Sequence, residues 1–486
     1  MIDLSVNERV LERTVARARE RGITIPTFAQ MADPSLVPAA IVAQLRGVGL
    51  WDLDPLNLWR ITWHNQPVSQ GGGFGPVNFV EFPSSLTGVT ARILGLVGKW
   101  FPIGAHKVGA AFGCLVPRLV TGQFDPTTQK SVWPSTGNYC RGGAFDAEIL
   151  GCRSVAILPE GMSRERFEWL EKVAGEIVKT PGSESDVKAI FDKCQEMRRS
   201  GEDVVVFNQF DEFGNYLWHY AVTGRAIQEV LRSIMTPGDR FAGLVVATGS
   251  AGTVASGDWL KQQYPGSRIA VGEALQCPTL LQAGFGSHRI EGIGDKHVPW
   301  IHNVRNTDMV MAIDDAAPMA LLRLFNEAAG REYLASAGVP EETVEAMPLA
   351  GISGLSNLVS AVKFARFYEL GPDDVVVTVL TDSVDMYASR VAELRYSEGP
   401  FTETDAAVAH HRWLLGAATD HVAELGYYDR KRIHNLKYFT WVEQQGKDAD
   451  ELVAQWHDPG YWTGIQSQVP KIDRLIERFN QEVDRQ

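Results

Sequence analysis

The chain has 486 residues, with 46 Lys and Arg against 59 Asp and Glu and a formal net charge of −13. That acidic balance argues against a nucleic-acid or anionic-membrane surface, and no apolar run approaches the length of a membrane span. Apolar residues at 45% and charged residues at 22% fit a water-soluble globular protein large enough for two or three sub-cores.

Residues 1–22 mix charged and apolar side chains and hold neither an apolar stretch nor a small-residue cleavage site, so they read as an amphipathic helix rather than a secretory signal. The five cysteines, Cys114, Cys140, Cys152, Cys194 and Cys277, form no C-x-x-C pair, which points to reduced thiols in a cytoplasmic protein.

The first ~60 residues are predicted helical and proline-interrupted. Gly71-Gly72-Gly73-Phe74-Gly75-Pro76 follows as a flexible segment and does not match the dinucleotide-binding G-x-G-x-x-G. From about residue 150 to 390, short apolar strands alternate with amphipathic helices. Ser154–Leu158 is one such strand, with a helix carrying Phe167, Leu170, Val173 and Ala174, and Ile177-Val178 opens the next. Val204–Phe207, Leu244–Ala247, Ile269–Val271 and Val375–Leu380 are further buried strands. Continuous β-branched runs imply strands covered on both faces, as in a doubly wound α/β sheet. After about residue 395 strands are expected to vanish. Ile472, Leu475, Ile476 and Phe479 mark a closing helix that packs on the core or on a partner. Trp413, Trp441 and Trp456 read as packing anchors. Adjacent His410 and His411, with His434, do not make a metal site.

Four segments sit where α/β sheets place ligands. Lys107, in Gly104-Ala105-His106-Lys107-Val108-Gly109, is an amine among small and apolar residues, suited to Schiff-base chemistry unless it simply snorkels to the surface. Ser135-Thr136-Gly137-Asn138-Tyr139 offers hydroxyls and an amide at a helix start, either a carboxylate cradle or an ordinary N-cap. Gly249-Ser250-Ala251-Gly252-Thr253, directly after a strand, lets backbone N–H groups approach a phosphate and lacks the lysine of a nucleoside-triphosphate loop. Thr381-Asp382-Ser383 offers a hydroxyl after the last strand. Amine, phosphate cup, carboxylate cradle and hydroxyl together are what pyridoxal phosphate and an amino acid require.

In this order the segments resemble the fold-type II pyridoxal-phosphate enzymes, closest to the cysteine synthase and cystathionine β-synthase branch. Leu158-Pro159-Glu160-Gly161-Met162-Ser163, Arg289-Ile290-Glu291-Gly292-Ile293-Gly294 and Gly351-Ile352-Ser353 extend the likeness. The resemblance implies an α/β fold of two doubly wound domains: a large cofactor-binding domain from residues 61–110 and 216–395, and a small substrate domain from 111–215. Residues 1–60 form an N-terminal helical extension and 396–486 a helical C-terminal one. It implies that Lys107 carries pyridoxal 5'-phosphate and is the catalytic residue. Asn138 meets the ring hydroxyl, Gly249, Ser250, Ala251, Gly252 and Thr253 hold the phosphate, and Ser383 meets the pyridine nitrogen. Ser135, Thr136, Tyr139 and Gln209 face the substrate carboxylate.

The implied activity is β-replacement or β-elimination on a β-substituted L-amino acid, a serine or cysteine derivative, through an aminoacrylate. A neutral Ser383 makes the ring a weaker electron sink than a carboxylate would, which favours loss of a leaving group from Cβ. The alternative on the same fold is an ammonia-lyase or dehydratase of a hydroxy or diamino acid; a non-catalytic amino-acid sensor is a third reading. The implied assembly is a cytoplasmic homodimer. The chain departs from the synthases at Ala105-His106 before the lysine, at Tyr139 in the substrate loop, at Ala251 in the phosphate loop and at Gly354-Leu355.

Overall fold

The β-branched runs become buried strands that sort into two sheets. The computed structural model describes every residue except Thr136, residues 183–185, Asp295 and Gln486. In chain order the strands are β1 (Phe79–Phe82), β2 (Arg92–Val97), β3 (Lys130–Pro134), β4 (Arg153–Pro159), β5 (Glu176–Thr180), β6 (Val204–Val206), β7 (Arg240–Ala247), β8 (Arg268–Ala274), β9 (Met309–Ile313), β10 (Asp374–Leu380) and β11 (Val422–Glu424).

The larger sheet runs β1-β2-β10-β7-β8-β9-β11 and the smaller β5-β4-β3-β6. The smaller is parallel throughout, and the larger is parallel from β2 to β9 with an antiparallel strand at each edge. Parallel strands need crossovers, and the intervening helices cover both faces. This is why the central strands read as unbroken apolar runs. The fold is the α/β, doubly wound architecture expected, with helices dominating after residue 396. One detail differs: Val422–Glu424 pairs with β9, so strands do not end near residue 395. Three residues, two half-buried and one exposed, are too short to show a period.

The helix Lys107–Val120 packs on the helices Asn138–Ile149 and Phe213–Trp218 and carries Lys107 at its first turn. It crosses the helix Phe213–Trp218 at two glycines. A Cβ on Gly113 would fall 2.4 Å from the Gly214 carbonyl oxygen, and one on Gly214 2.1 Å from that of Gly113. Any side chain at either position would push the lysine away from its surroundings.

The two chain ends close on each other. The helix Val469–Asp484 buries Ile472, Ile476 and Phe479, while Leu475 is half-buried. Asp473 accepts from Phe28 N at 2.7 Å, Asn480 exchanges hydrogen bonds with the Ile25 backbone at 2.9 and 2.8 Å, and Gln468 does the same with Ile2 at 3.1 and 2.7 Å. The closing helix thus packs on the core and the N-terminal segment of its own chain. Trp441 and Trp456 are buried anchors; Trp413 is half-buried. Among the described residues, no helix is long and apolar enough to cross a membrane.

Glu273, at the end of β8, accepts from Leu280 N at 2.8 Å and Leu281 N at 2.9 Å. Burial pushes its carboxyl up to about 7, against those hydrogen bonds. The folded chain therefore keeps this proton over a range where the unfolded chain, with an ordinary value of about 4.3, has lost it. Stability from this group is full below about pH 4 and is lost as pH rises towards about 7. Glu273→Gln is expected to flatten that part of the profile of thermal midpoint against pH; an identical slope in the variant would contradict the assignment.

Candidate active site

The site lies between the two sheets, at the C-terminal ends of β3, β7 and β10, where open α/β sheets leave a crevice. Lys107, Ser135, Asn138, Tyr139, Gln209, Gly249, Ser250 and Thr381 line one cavity of about 20 Å³, closed in by Gly292, Ile293 and Gly294. The four separate segments are thus brought together.

Lys107 Nζ donates to Ser250 Oγ at 3.0 Å and reaches Gln209 Oε1 at 3.5 Å. The side chain does not snorkel to the surface. Gln209 in turn donates from Nε2 to Ser135 Oγ at 3.1 Å, and Ser135 Oγ also accepts from Gly137 N at 3.2 Å. Thr136, the other hydroxyl of this loop, lies outside the described residues. Tyr139 is buried, with its ring edge-on to Trp133 at 5.5 Å. Burial raises its phenol well above the usual value, so it is neutral.

The loop after β7 has the shape of an anion cup. Ala251 has φ +60, the left-handed conformation that recurs in anion-binding backbone nests. Among the described residues, nothing accepts from the N–H groups of Gly249, Ser250, Ala251 and Thr253. A Cβ on Gly252 would fall 2.0 Å from Asn215 Oδ1, so the glycine is required by close packing. Asn215 donates from Nδ2 to Ser250 Oγ and to Gln209 O, each at 3.0 Å, which ties the cup to the lysine's other neighbour. Alanine at 251 keeps the left-handed geometry at a cost of about 1 kcal/mol relative to glycine.

The residue before the lysine is part of a buried imidazole pair. His106 bonds Thr381 Oγ1 at 3.3 Å through Nε2, stacks on Trp63 and meets the His219 ring edge-on at 5.1 Å. Burial, reinforced by the Lys107 charge for His106 and by its imidazole partner for His219, holds both well below the usual histidine range, so both are neutral. Thr381 therefore faces the cavity with its hydroxyl engaged. Ser383, two residues on, is buried and lines a separate cavity of about 270 Å³ beside Trp51, Lys99 and Gly104. Among the described residues its Oγ has no hydrogen-bond partner.

A charged network joins the two lobes around the site. Arg166, from the small-sheet side, pairs with Glu291 and donates to Tyr387 OH at 3.0 Å. Arg390 bonds Glu291 Oε1 at 2.5 Å and the Gly161 carbonyl at 2.5 Å. Ser389 bonds Glu165 through both N and Oγ at 2.7 Å. Sequence reasoning missed His219, Asn215, Arg166 and Glu291 as contributors. Glu291 stood inside a recognised stretch, but nothing in the local pattern distinguishes the others from ordinary helix residues.

Five free cysteines are all buried, and burial raises the Cys140 thiol to about 12. His410 and His434 bond backbone carbonyls of Leu86 and Leu452 at 2.9 and 3.0 Å.

The sequence model of the family described as "Pyridoxal-phosphate dependent enzyme" matches residues 101–382, more than half of the chain. The chain belongs to the pyridoxal-phosphate-dependent enzyme family. It is a fold-type II member of the cysteine synthase and cystathionine β-synthase branch. It is 25% identical to the cystathionine β-synthase of Saccharomyces cerevisiae over 383 residues, 76% of this chain and 72% of that protein. It is 30% identical to a cysteine synthase of Staphylococcus aureus over 261 residues, covering 53% of this chain and 75% of that one. The crystal structure of an O-acetylserine-dependent cystathionine β-synthase from Helicobacter pylori superposes with a TM-score of 0.54 at 22% identity, covering 65% of this chain and 95% of that one.

The residues present fit pyridoxal 5'-phosphate, the cofactor of the family. The uncommitted N–H groups of the cup and the hydroxyls of Ser250 and Thr253 suit a phosphate. The Lys107 amine stands next to that cup, as an amine that condenses with the cofactor's aldehyde must. Gly252→Ala is expected to weaken pyridoxal-phosphate binding at least tenfold, about 1.4 kcal/mol, while far-ultraviolet circular dichroism stays unchanged. Wild-type affinity in a folded variant would contradict the cup.

Proposed function

We propose that the protein catalyses β-replacement or β-elimination on a β-substituted L-amino acid, a serine or cysteine derivative. The observation that carries this reading is the Lys107 amine held 3.0 Å from Ser250 in the anion cup and in reach of Gln209. Pyridoxal phosphate, when bound, supplies an aldehyde for amine condensation and a ring that withdraws charge from the substrate's Cα.

The protein's part follows from the residues around it. The cup and Ser250 would hold the phosphate and Asn138 would face the ring oxygen; the hydroxyl for the ring nitrogen would come from the Thr381–Ser383 turn, where Thr381 lines the Lys107 cavity and Ser383 the neighbouring one. A hydroxyl carries no charge, so it does not keep that nitrogen protonated as a carboxylate would. Less charge would then be stored at Cα, which favours loss of a group from Cβ. Ser135, Gln209 and Tyr139 would form the substrate-carboxylate side, the role the resemblance also implies for Thr136. With the cofactor and an amino acid bound, the Lys107 amine would be placed to take the Cα proton as general base. The contacts of Arg390 and Ser389 across the seam would hold the lobes closed over a bound cofactor and substrate. Closure excludes water and strengthens every polar contact within.

Domain boundaries at residues 60, 110, 215 and 395, a homodimeric assembly and a cytoplasmic location belong to the same proposal.

Purified protein supplied with O-acylserine, serine or cysteine, with and without a thiol, separates the readings. Replacement predicts thiol-dependent formation of a thioether or a new thiol amino acid. Keto-acid release at the same rate whether or not thiol is present favours the ammonia-lyase alternative. Lys107→Ala is expected to lower turnover by about 10²–10⁴, the usual contribution of a positioned base; full activity in that variant would overturn the assignment.

A further inference from the structure

The Asn138 carboxamide sits between two charged side chains, Arg141 and Asp382, that no sequence motif singles out. Its Oδ1 accepts from Arg141 Nη1 at 3.0 Å, and its Nδ2 donates to Asp382 Oδ2 at 2.7 Å. All three side chains are buried. An asparagine amide can face a cavity with either end. Here a guanidinium, which only donates, meets one end, and a carboxylate, which accepts, meets the other. Turning the amide over would set N–H against N–H and oxygen against oxygen. The amide therefore has one sense, and its second Nδ2 hydrogen is a spare donor on a residue that lines the Lys107 cavity.

Each arm of this clamp is anchored elsewhere. Arg141 stacks on Trp169 at 5.1 Å and donates from Nη2 to the Ile103 carbonyl at 2.8 Å. Ile103 has φ +64, a strained value for a β-branched residue, in the loop that leads to Lys107. Asp382 Oδ2 also accepts from Tyr387 OH at 2.7 Å, and that hydroxyl accepts from Arg166. Among the described residues neither Arg141 nor Asp382 makes a direct ion pair, so the amide is what joins the two buried charges.

We propose that Arg141 and Asp382 are positioning residues that hold Asn138 as a hydrogen-bond donor towards the cofactor's ring oxygen, with Arg141 tying the same clamp to the strained loop before Lys107. This rests on the pyridoxal-phosphate reading of the site. The donor favours the ionised ring oxygen, so the clamp sets both cofactor affinity and the pH at which the bound cofactor's visible band changes.

The test uses full-length apo-protein titrated with pyridoxal phosphate, reading the dissociation constant and the pH midpoint of the visible band. Folding is checked by thermal unfolding. Asp382→Ala is expected to weaken binding about tenfold, the size of one hydrogen bond to a charged group, and to shift the midpoint. Asp382→Asn keeps an acceptor for Nδ2 and is expected to recover most of both. A folded Asp382→Ala protein with wild-type affinity and midpoint overturns the proposal. So does an Asn variant as impaired as the Ala variant. Should Asp382→Ala fail to fold, Arg141→Met decides in the same way: it frees the amide to turn, and unchanged affinity and midpoint overturn the clamp. Absence of any band on adding pyridoxal phosphate to the wild type would instead fault the cofactor reading.

Discussion

Everything in the site turns on an amine-bearing side chain placed at the seam of two sheets. Lys107 Nζ meets a serine hydroxyl and a glutamine oxygen. The architecture is arranged around that amine. The helix that begins at Lys107 is seated by the Gly113–Gly214 crossing, while the anion cup is tied through Asn215 to the partners of the amine. The neutral imidazoles of His106 and His219 lie directly behind, so no second cation competes for the same anion.

A layer of charged side chains surrounds this centre. Arg141, Asp382, Arg166, Glu291 and Arg390 are linked through Asn138 and Tyr387, and the chain of contacts crosses from one sheet to the other. Buried charges are costly singly and acceptable when every partner is in place. Such a network therefore favours one closed arrangement of the lobes over partly open ones. In the proposed function that arrangement would keep water from the reacting amino acid, so stability of the seam and fidelity of the chemistry have the same physical source.

Much of this was legible in the sequence because two kinds of signal are local. Unbroken β-branched runs such as Val375–Leu380 can only be strands covered on both faces, which fixes the α/β class. Loops such as Gly249–Thr253 announce their use through the smallness of their residues, and Lys107 stands out as a charge among apolar neighbours. What stayed hidden depends on contacts between distant residues. Asn215 matters because Gly252 packs on it. Arg166 matters because Glu291, 125 positions later, faces it. Val422–Glu424 is a strand only because β9 offers an edge. Ser383 was assigned to the ring nitrogen by resemblance, yet Thr381 is the hydroxyl that lines the Lys107 cavity, while Ser383 borders the neighbouring one. A turn of three polar residues does not reveal which of them points inward.

The central claim is a covalent one, and borohydride reduction tests it most directly. Purified protein incubated with pyridoxal phosphate, reduced, digested and mapped by mass spectrometry should carry a single pyridoxyl group, on the ε-nitrogen of Lys107. Folded protein that binds the cofactor but shows that lysine unmodified, or shows the label on another lysine, would contradict the account.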